Sequence, residues 1–279
     1  MRPFRQVDVF STEALRGNPV AVVHGAEGLT TEQMERFTRW TNLSEATFLL
    51  PPTDPTADYA VRIFTQVGEL PFAGHPTLGT CHAWLAAGGQ PRDAQRIVQE
   101  CPAGLIPIRR IDGVLAFAAP PTTRSGPVSP EDLDRIARIL GVGVGDIVDS
   151  QWADNGPGWV AVMLESAEAV LDLRPTGDGE HFDIGVVGPY PEGSECTYEV
   201  RAFFNNDRRE VLEDPVTGSL NASLAQWLVG AGRVTPPYTA SQGTAMGRAG
   251  RPRISQDEDG TIWVGGATRT IVSGEVDVE

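Results

Sequence analysis

The amino-acid sequence predicts an α+β fold in which two similar, pseudo-symmetric halves each curl a mostly antiparallel sheet around a central helix. Three observations lead to this prediction. The chain has 279 residues, and a prior of roughly 150 residues per domain gives two domains. A block of sequence recurs half a chain later. Each half also carries one helix that is apolar on nearly every face, which is typical of a helix buried inside a sheet.

The internal repeat has an offset of 139 residues. Residues 59–64 (YAVRIF) return as residues 198–203 (YEVRAF), and both segments read as strands of alternating burial. Three further pairs align without gaps at the same offset: His75 with Asp214, Pro76 with Pro215, and Gly79 with Gly218. A strand and the turn after it are therefore predicted to occur twice.

Four helices are predicted from apolar spacing and end signals. Two are amphipathic, at 30–40 and 130–140, and we expect them to cover the sheets, with Trp40 as a possible last member of the first apolar stripe. The two apolar helices are predicted at 76–87 and 215–229, each beginning at a proline.

The predicted domain boundary lies near residue 120. We expect an N-terminal domain over 1–120, a C-terminal domain over 121–279, and a final strand at 267–279 that returns to the first domain. A Pro/Ser/Gly-rich stretch at 119–127 breaks both periodicities and is predicted to be the linker. A cleft where the two apolar helices begin is the expected active site.

Composition excludes several classes of function. The formal net charge is -15 and the pI is about 4.7, which opposes binding to nucleic acid or an anionic membrane surface. A small carboxylate can still bind, because helix N-termini set the local field in a pocket. Three widely spaced cysteines are predicted to be reduced thiols, two or more of them buried. The N-terminus carries no secretory signal, and we expect a cytoplasmic protein.

The two apolar helices are predicted to begin beside titratable residues, with His75 and Asp214 near the N-cap. Amides at such helix starts can bind a substrate carboxylate and stabilise an enolate. The alternative for each residue is an ordinary cap or turn. Further candidate contacts are small or hydroxyl-bearing residues at the same places: Gly74, Thr77, Gly79, Thr217, Gly218 and Ser219.

Glu45 lies between the first amphipathic helix and an apolar strand. It is either an exposed turn carboxylate or a general acid/base beside the cleft. Asn18 follows a tight turn and is a weaker candidate for a substrate contact. A metal site using His75 and His82 is disfavoured, because seven helical positions separate them by about 10 Å. Cys81 is predicted to be core packing.

The chain contains the elements AGHPT (residues 73–77) and EDPxTGS (residues 213–219), in that order. On these elements it resembles the PhzF family, which is similar in fold to diaminopimelate epimerase. The matching segments span almost the whole chain: 6–10 (QVDVF), 17–19 (GNP), 43–45 (LSE), 62–65 (RIFT), 69–79 (ELPFAGHPTLG), 213–219 (EDPVTGS), 242–243 (QG) and 246–248 (MGR).

The resemblance implies a homodimeric isomerase that needs no metal or organic cofactor. It implies that Glu45 is the main acid/base and that His75 and Asp214 hold and polarise the substrate. The family's named member shifts hydrogen within dihydro-3-hydroxyanthranilate in phenazine biosynthesis. The residues expected to bind the small carboxylate substrate are Asn18, Ser44, Gly74, Thr77, Gly218 and Ser219.

Two departures from known relatives bear on the chemistry. Diaminopimelate epimerase has cysteines where this chain has His75 and Asp214, so a two-thiol racemase mechanism is not available. The segment 203–212 is more polar than the usual approach to the second motif, so the substrate can differ from the phenazine precursor. An epimerase or double-bond isomerase acting on another amino-acid-derived substrate, and a non-catalytic binding protein of the same fold, are the alternatives.

Overall fold

The computed structural model describes residues 1–177, 182–205 and 210–278. The chain divides into two compact units. The first contains residues 1–118 and 265–279, and the second contains residues 119–264.

The described chain contains five α-helices and eighteen strands. The helices are α1 (Thr31–Thr41), α2 (Gly74–Ala86), α3 (Pro130–Leu140), α4 (Ala167–Asp172) and α5 (Gly218–Gly230). The strands are β1 (Arg2–Val9), β2 (Asn18–Val23), β3 (Glu45–Leu50), β4 (Tyr59–Thr65), β5 (Glu69–Leu70), β6 (Ile97–Cys101), β7 (Gly104–Ile111), β8 (Val114–Ala118), β9 (Arg124–Gly126), β10 (Ile147–Asp154), β11 (Trp159–Leu164), β12 (Asp183–Pro189), β13 (Tyr198–Asn205), β14 (Val211–Asp214), β15 (Tyr238–Gln242), β16 (Arg253–Gln256), β17 (Ile262–Gly266) and β18 (Thr268–Val276).

The two units share one strand order. In the first unit the neighbours run β18–β1–β2–β3–β4–β6–β7–β8, with β5 beside β4. In the second unit they run β9–β10–β11–β12–β13–β15–β16, with β14 beside β13. All of these pairings are antiparallel except two in each unit, β2–β3 and β4–β6 in the first and β11–β12 and β13–β15 in the second. The predicted α+β fold is confirmed.

Strand β11 shows how the sheet of the second unit is covered on both faces. All six of its residues are buried. Val160, Val162 and Leu164 pack with α3 and α4 on one face. The alternate residues, Trp159 and Met163 among them, pack with α5 on the other face. Because side chains alternate along a strand, a continuous apolar run indicates two covered faces.

The amphipathic helices lie close to their predicted positions. In α1 the N-cap Thr30 forms a capping box with Gln33, and α3 is capped by Ser129. The predicted place of Trp40 in the apolar stripe is wrong, because this side chain is 80% exposed. Six residues after Met34, at about 100° per residue, Trp40 points about 240° away from it.

The central helices α2 and α5 are almost entirely apolar and buried, as predicted. Their predicted starting points are corrected. Helix α2 begins at Gly74, and Pro76 falls in its first turn, where a missing N–H costs no intrahelical bond. Helix α5 begins at Gly218 rather than at Pro215. Asp214 is held in the sheet by its pairing with Ala202, so the chain turns helical only after it.

The predicted linker is partly a strand. Residues 124–126 form β9 and pair antiparallel with β10 through Trp152, Ala153 and Asp154. A short edge strand needs little apolar content, so the Pro/Ser/Gly composition hid it.

The three cysteines are buried free thiols. None of the helices in the described part of the chain is long and apolar enough to cross a membrane.

The close approach of α2 to β2 generates a stability prediction. A Cβ atom added at Gly79 would lie 2.3 Å from Val20 Cγ1, so Gly79→Ala should lower the free energy of unfolding by about 1–3 kcal/mol. Urea denaturation measures the change. Gly274→Ala is the control, because nothing lies within 4 Å of the Cβ position there. Equal stability of Gly79→Ala and the wild type would contradict this packing.

Candidate active site

The first unit brings Glu45 and His75 together. Glu45 opens β3, and His75 is the second residue of α2. Glu45 Oε2 lies 3.2 Å from His75 Nε2, and the two side chains are 15% and 4% exposed. A carboxylate and an imidazole at ion-pair distance, with little water around them, can exchange a proton. Glu45 is therefore not the exposed turn carboxylate that local sequence alone allowed.

Asn18 holds the other side of the imidazole. It is fully buried at the start of β2, and its Nδ2 atom lies 3.3 Å from His75 Nδ1. The residues directly before Asn18 are held by the buried carboxylate of Asp8, which accepts hydrogen bonds from the backbone N–H groups of Arg16 and Gly17. Asp8 thereby fixes the loop that leads into Asn18, and the side-chain amide of Asn18 contacts the His75 ring.

Burial governs the charge of His75. Removal from water lowers its pKa to about 3, and a hydrogen bond to the Pro19 carbonyl acts weakly in the opposite direction. The imidazole is consequently neutral at pH 7. A neutral imidazole offers one N–H donor and one acceptor nitrogen, which suits it to orient a partner without adding a net charge.

The helix starts at the two central helices differ from those on the surface. Helices α1, α3 and α4 each have a Thr or Ser side chain that accepts a hydrogen bond from the first turn. Helices α2 and α5 have no side-chain cap. The first-turn amides of a helix carry partial positive charge, so an uncapped buried start can bind an anion.

In the second unit, Asp214 ends β14 and is tied to the residues that follow it. The Thr217 hydroxyl donates to Asp214 Oδ2. The Thr217 backbone N–H donates to Gln242 Oε1 at 3.0 Å, and Gln242 Nε2 donates to the Asp214 carbonyl at 3.2 Å. The Thr217 hydroxyl proton, predicted to face a substrate, is directed to Asp214 instead.

Gly218 and Ser219 form the buried first turn of α5. Ser219 Oγ accepts a hydrogen bond from Trp159 Nε1 at 3.0 Å, and its carbonyl accepts one from Asn155. Accepting this bond leaves the Ser219 hydroxyl proton for another acceptor, as a substrate contact requires.

The remaining predicted contacts lie in the first unit. Gly74 is the buried first residue of α2, and Ser44 is half-buried directly before Glu45. Thr77 is fully buried, and its hydroxyl accepts a hydrogen bond from Gln99 Nε2 at 2.9 Å. The structure thus brings Gly74 and Thr77 together with His75 in one helical turn.

Gln99 and Gln242 were not predicted as site residues. Gln99 is the middle residue of β6, and Gln242 is the last residue of β15. Each donates to the threonine at a central helix start, Thr77 or Thr217. The signal was present, since the motif containing Gln242 belongs to the resemblance and both residues follow their central helix. Local sequence does not show, however, where a buried amide points.

His82 does not lie in this site. Its two ring nitrogens lie 3.0 Å from the hydroxyls of Thr268 and Thr270. Over the parts of the chain that the structure describes, no group of three or more His, Cys, Asp or Glu side chains could hold a metal ion. Of the polar segment 203–212, residues 206–209 lie outside the described residues.

The comparisons with known proteins agree with the resemblance stated from the motifs. The family model PhzC-PhzF, described as "Phenazine biosynthesis-like protein", matches residues 7–275. Antisense-enhancing sequence 1 of Schizosaccharomyces pombe is 34% identical, covering 98% of this chain and 97% of that protein. Trans-2,3-dihydro-3-hydroxyanthranilate isomerase of Pseudomonas aeruginosa is also 34% identical, covering 90% and 89%.

A solved structure from Pseudomonas aeruginosa, described as a "predicted epimerase", has the same fold. Its TM-score is 0.82 at 24% identity, over 99% of both chains. The isomerase class that the sequence predicts agrees with the name of the Pseudomonas aeruginosa isomerase that is 34% identical. The chain belongs to the PhzC–PhzF family of phenazine biosynthesis-like proteins.

Proposed function

We propose that this isomerase moves a proton within a small unsaturated cyclic carboxylate or amino acid, without a cofactor, by acid/base catalysis at Glu45 in secondary-metabolite biosynthesis. The observation that carries the proposal is the contact of 3.2 Å between Glu45 Oε2 and the buried His75 Nε2. A merely structural carboxylate would gain little from facing a neutral imidazole that is itself held by Asn18.

Glu45 is proposed to remove a proton from one carbon and to return it to another. A carboxylate is a weak base in water, and it gains strength where few water molecules solvate it. Negative charge that develops on the substrate would be stabilised by the first-turn amides of α2, which no side chain caps.

His75 is proposed to orient both Glu45 and the substrate. Because the imidazole is neutral, its Nε2 atom can carry either a proton for the Glu45 carboxylate or a lone pair for the protonated acid, depending on the tautomer. The same ring can therefore support Glu45 before and after proton transfer. Asp214 is proposed to hold and polarise the substrate, as the family resemblance implies.

The substrate class rests on the relatives. One relative is named for isomerisation of trans-2,3-dihydro-3-hydroxyanthranilate, and it shares 34% identity with this chain. That compound, an unsaturated cyclic amino acid, is the first probe. The relative of equal identity, Antisense-enhancing sequence 1, has a name that states no reaction, so a non-catalytic binding role is a defined outcome of the test below.

Replacement of Glu45 tests the proposed chemistry. Glu45→Gln keeps the size of the side chain and removes its basicity, so turnover should fall by about 100-fold or more. Proton NMR in D₂O, with trans-2,3-dihydro-3-hydroxyanthranilate and a panel of related unsaturated cyclic amino acids, measures isomerisation and deuterium uptake. Glu131→Gln, at an exposed position of α3, should keep wild-type activity.

Two results would count against the proposal. Undiminished turnover by Glu45→Gln would remove Glu45 from the chemistry. Tight binding without isomerisation or exchange of any compound by the wild type would favour the non-catalytic role.

The lowered pKa of His75 predicts how stability depends on pH. The unfolded chain takes up this proton around the ordinary histidine pKa of 6.5, whereas burial lowers the pKa of His75 in the folded chain to about 3. The unfolded state therefore binds more protons in this window, and the free energy of unfolding falls as pH falls. Between pH 6.5 and pH 5, His75 should account for about 2 kcal/mol of that loss.

Urea denaturation of the wild type and of His75→Gln at both pH values measures this difference. His24, whose pKa is also lowered, is present in both proteins and cancels in the comparison. The slope with pH should be shallower in the variant. A His75 ring resonance that titrates near pH 6.5 in the folded protein would disprove the assignment.

A further inference from the structure

Gln242 makes a complete set of hydrogen bonds at the end of β15. The residue is fully buried. Its Oε1 atom accepts from the Thr217 N–H at 3.0 Å and from Asn221 Nδ2 at 2.8 Å. Its Nε2 atom donates to the Asp214 carbonyl at 3.2 Å and to Thr217 Oγ1 at 3.0 Å. Both lone pairs of the oxygen and both protons of the amide are in use.

These partners fix which way the amide points. A backbone N–H can only donate and a backbone carbonyl can only accept, so Oε1 must face Thr217 and Nε2 must face Asp214. Asn221 agrees, because its Nδ2 also donates to the Thr217 carbonyl at 2.9 Å. A reversed amide would place two acceptors together and two donors together, at the cost of several buried hydrogen bonds.

The direction of the Thr217 hydroxyl follows from that of the amide. Thr217 Oγ1 accepts a proton from Gln242, so its own single proton goes to Asp214 Oδ2. A hydrogen bond from a hydroxyl to a carboxylate is stronger than one between neutral groups. The chain Gln242–Thr217–Asp214 is thus a relay of fixed polarity that ends on a residue of the proposed reaction.

The backbone around Gln242 is held close to the same turn. Gly243 has φ 87°, and a Cβ atom there would lie 2.6 Å from the Pro215 carbonyl oxygen. The Gln242 backbone exchanges both of its hydrogen bonds with Gly250. Neither feature permits Gln242 to move away without displacing the residues beside Asp214.

The first unit has a related pair that is built differently. Gln99 Nε2 donates to Thr77 Oγ1, but Gln99 Oε1 accepts from the Tyr59 hydroxyl at 3.1 Å rather than from a backbone N–H. A tyrosine hydroxyl can donate or accept, so this contact does not fix the amide. The fixed polarity belongs to the unit that carries Asp214.

We propose that Gln242, acting through Thr217, is a positioning residue that sets the orientation of the Asp214 carboxylate for turnover. The inference rests on the proposed function for the part that Asp214 plays in catalysis. The orientation of the Asp214 carboxylate can be determined without any substrate.

Three variants distinguish the effect of the Gln242–Thr217–Asp214 hydrogen bonds from the effect of side-chain packing. Thr217→Val keeps the shape and removes the hydroxyl, Thr217→Ser keeps the hydroxyl, and Gln242→Glu removes the two amide donors. We expect kcat/KM to fall about tenfold or more in Thr217→Val and Gln242→Glu, as for loss of a hydrogen bond to a charged group. Thr217→Ser should stay within about threefold of wild type.

Controls address folding. Thr38→Val is the matched substitution, since Thr38 is a fully buried threonine of α1 whose hydroxyl donates to the Met34 carbonyl. It should keep wild-type kcat and KM while losing a comparable amount of thermal stability. Equal losses of activity in Thr217→Val and Thr217→Ser would overturn the proposal, because the hydroxyl would then not be the feature that matters.

Crystal structures of the same variants without substrate give a result independent of activity. The Asp214 carboxylate should turn in Thr217→Val and Gln242→Glu and keep its place in Thr217→Ser. An unmoved carboxylate in all three overturns the proposal. Absence of turnover by the wild type would refute the proposed function instead, and the crystal structures would still decide whether Thr217 and Gln242 orient Asp214.

Discussion

Each unit depends on the enclosure of one apolar helix by its own sheet. Burying α2 or α5 on every side requires strands that are apolar on the face toward the helix. In the second unit the opposite face is covered as well, by α3 and α4. Burial of the central helix also requires that helix and strands approach closely. Gly79 on α2 allows this against Val20, and Gly185 on β12 allows it against Leu220. Both units enclose a central helix in this way, with the same order of strand pairings.

The same enclosure creates the chemistry at the helix starts. A buried helix that a Ser or Thr side chain does not cap leaves its first-turn amides for a ligand. In the first unit this start carries His75, which burial keeps neutral and which faces Glu45. In the second unit the Gln242 amide occupies the Thr217 N–H, and the polar network leads to Asp214. The same feature, a buried helix start without a Ser or Thr side-chain cap, thus lies beside a different set of polar side chains in each unit.

Several strands and helices of the fold can be predicted from the sequence, because they follow from the internal repeat and from the spacing of apolar residues. The repeat at 139 residues predicts β4 and its counterpart β13 in the second unit, and the spacing of apolar residues predicts α1 and α3 nearly to their ends. The start of α5 was misplaced because a proline is compatible with a helix start, whereas the pairing of Asp214 with Ala202 is a long-range contact that local sequence does not encode. Gln242 was missed as a site residue for a similar reason. Its role depends on the direction of a buried amide, which only the surrounding donors and acceptors determine.

One carboxylate, that of Glu45, is proposed both to remove the proton from the substrate and to return it. The most direct measurement uses trans-2,3-dihydro-3-hydroxyanthranilate carrying deuterium at the carbon that loses its proton, in a single turnover in H₂O. Glu45 is mostly shielded from solvent, so part of the deuterium should appear at the receiving carbon of the product. Complete loss of the label to water in the first turnover would contradict a single shielded base.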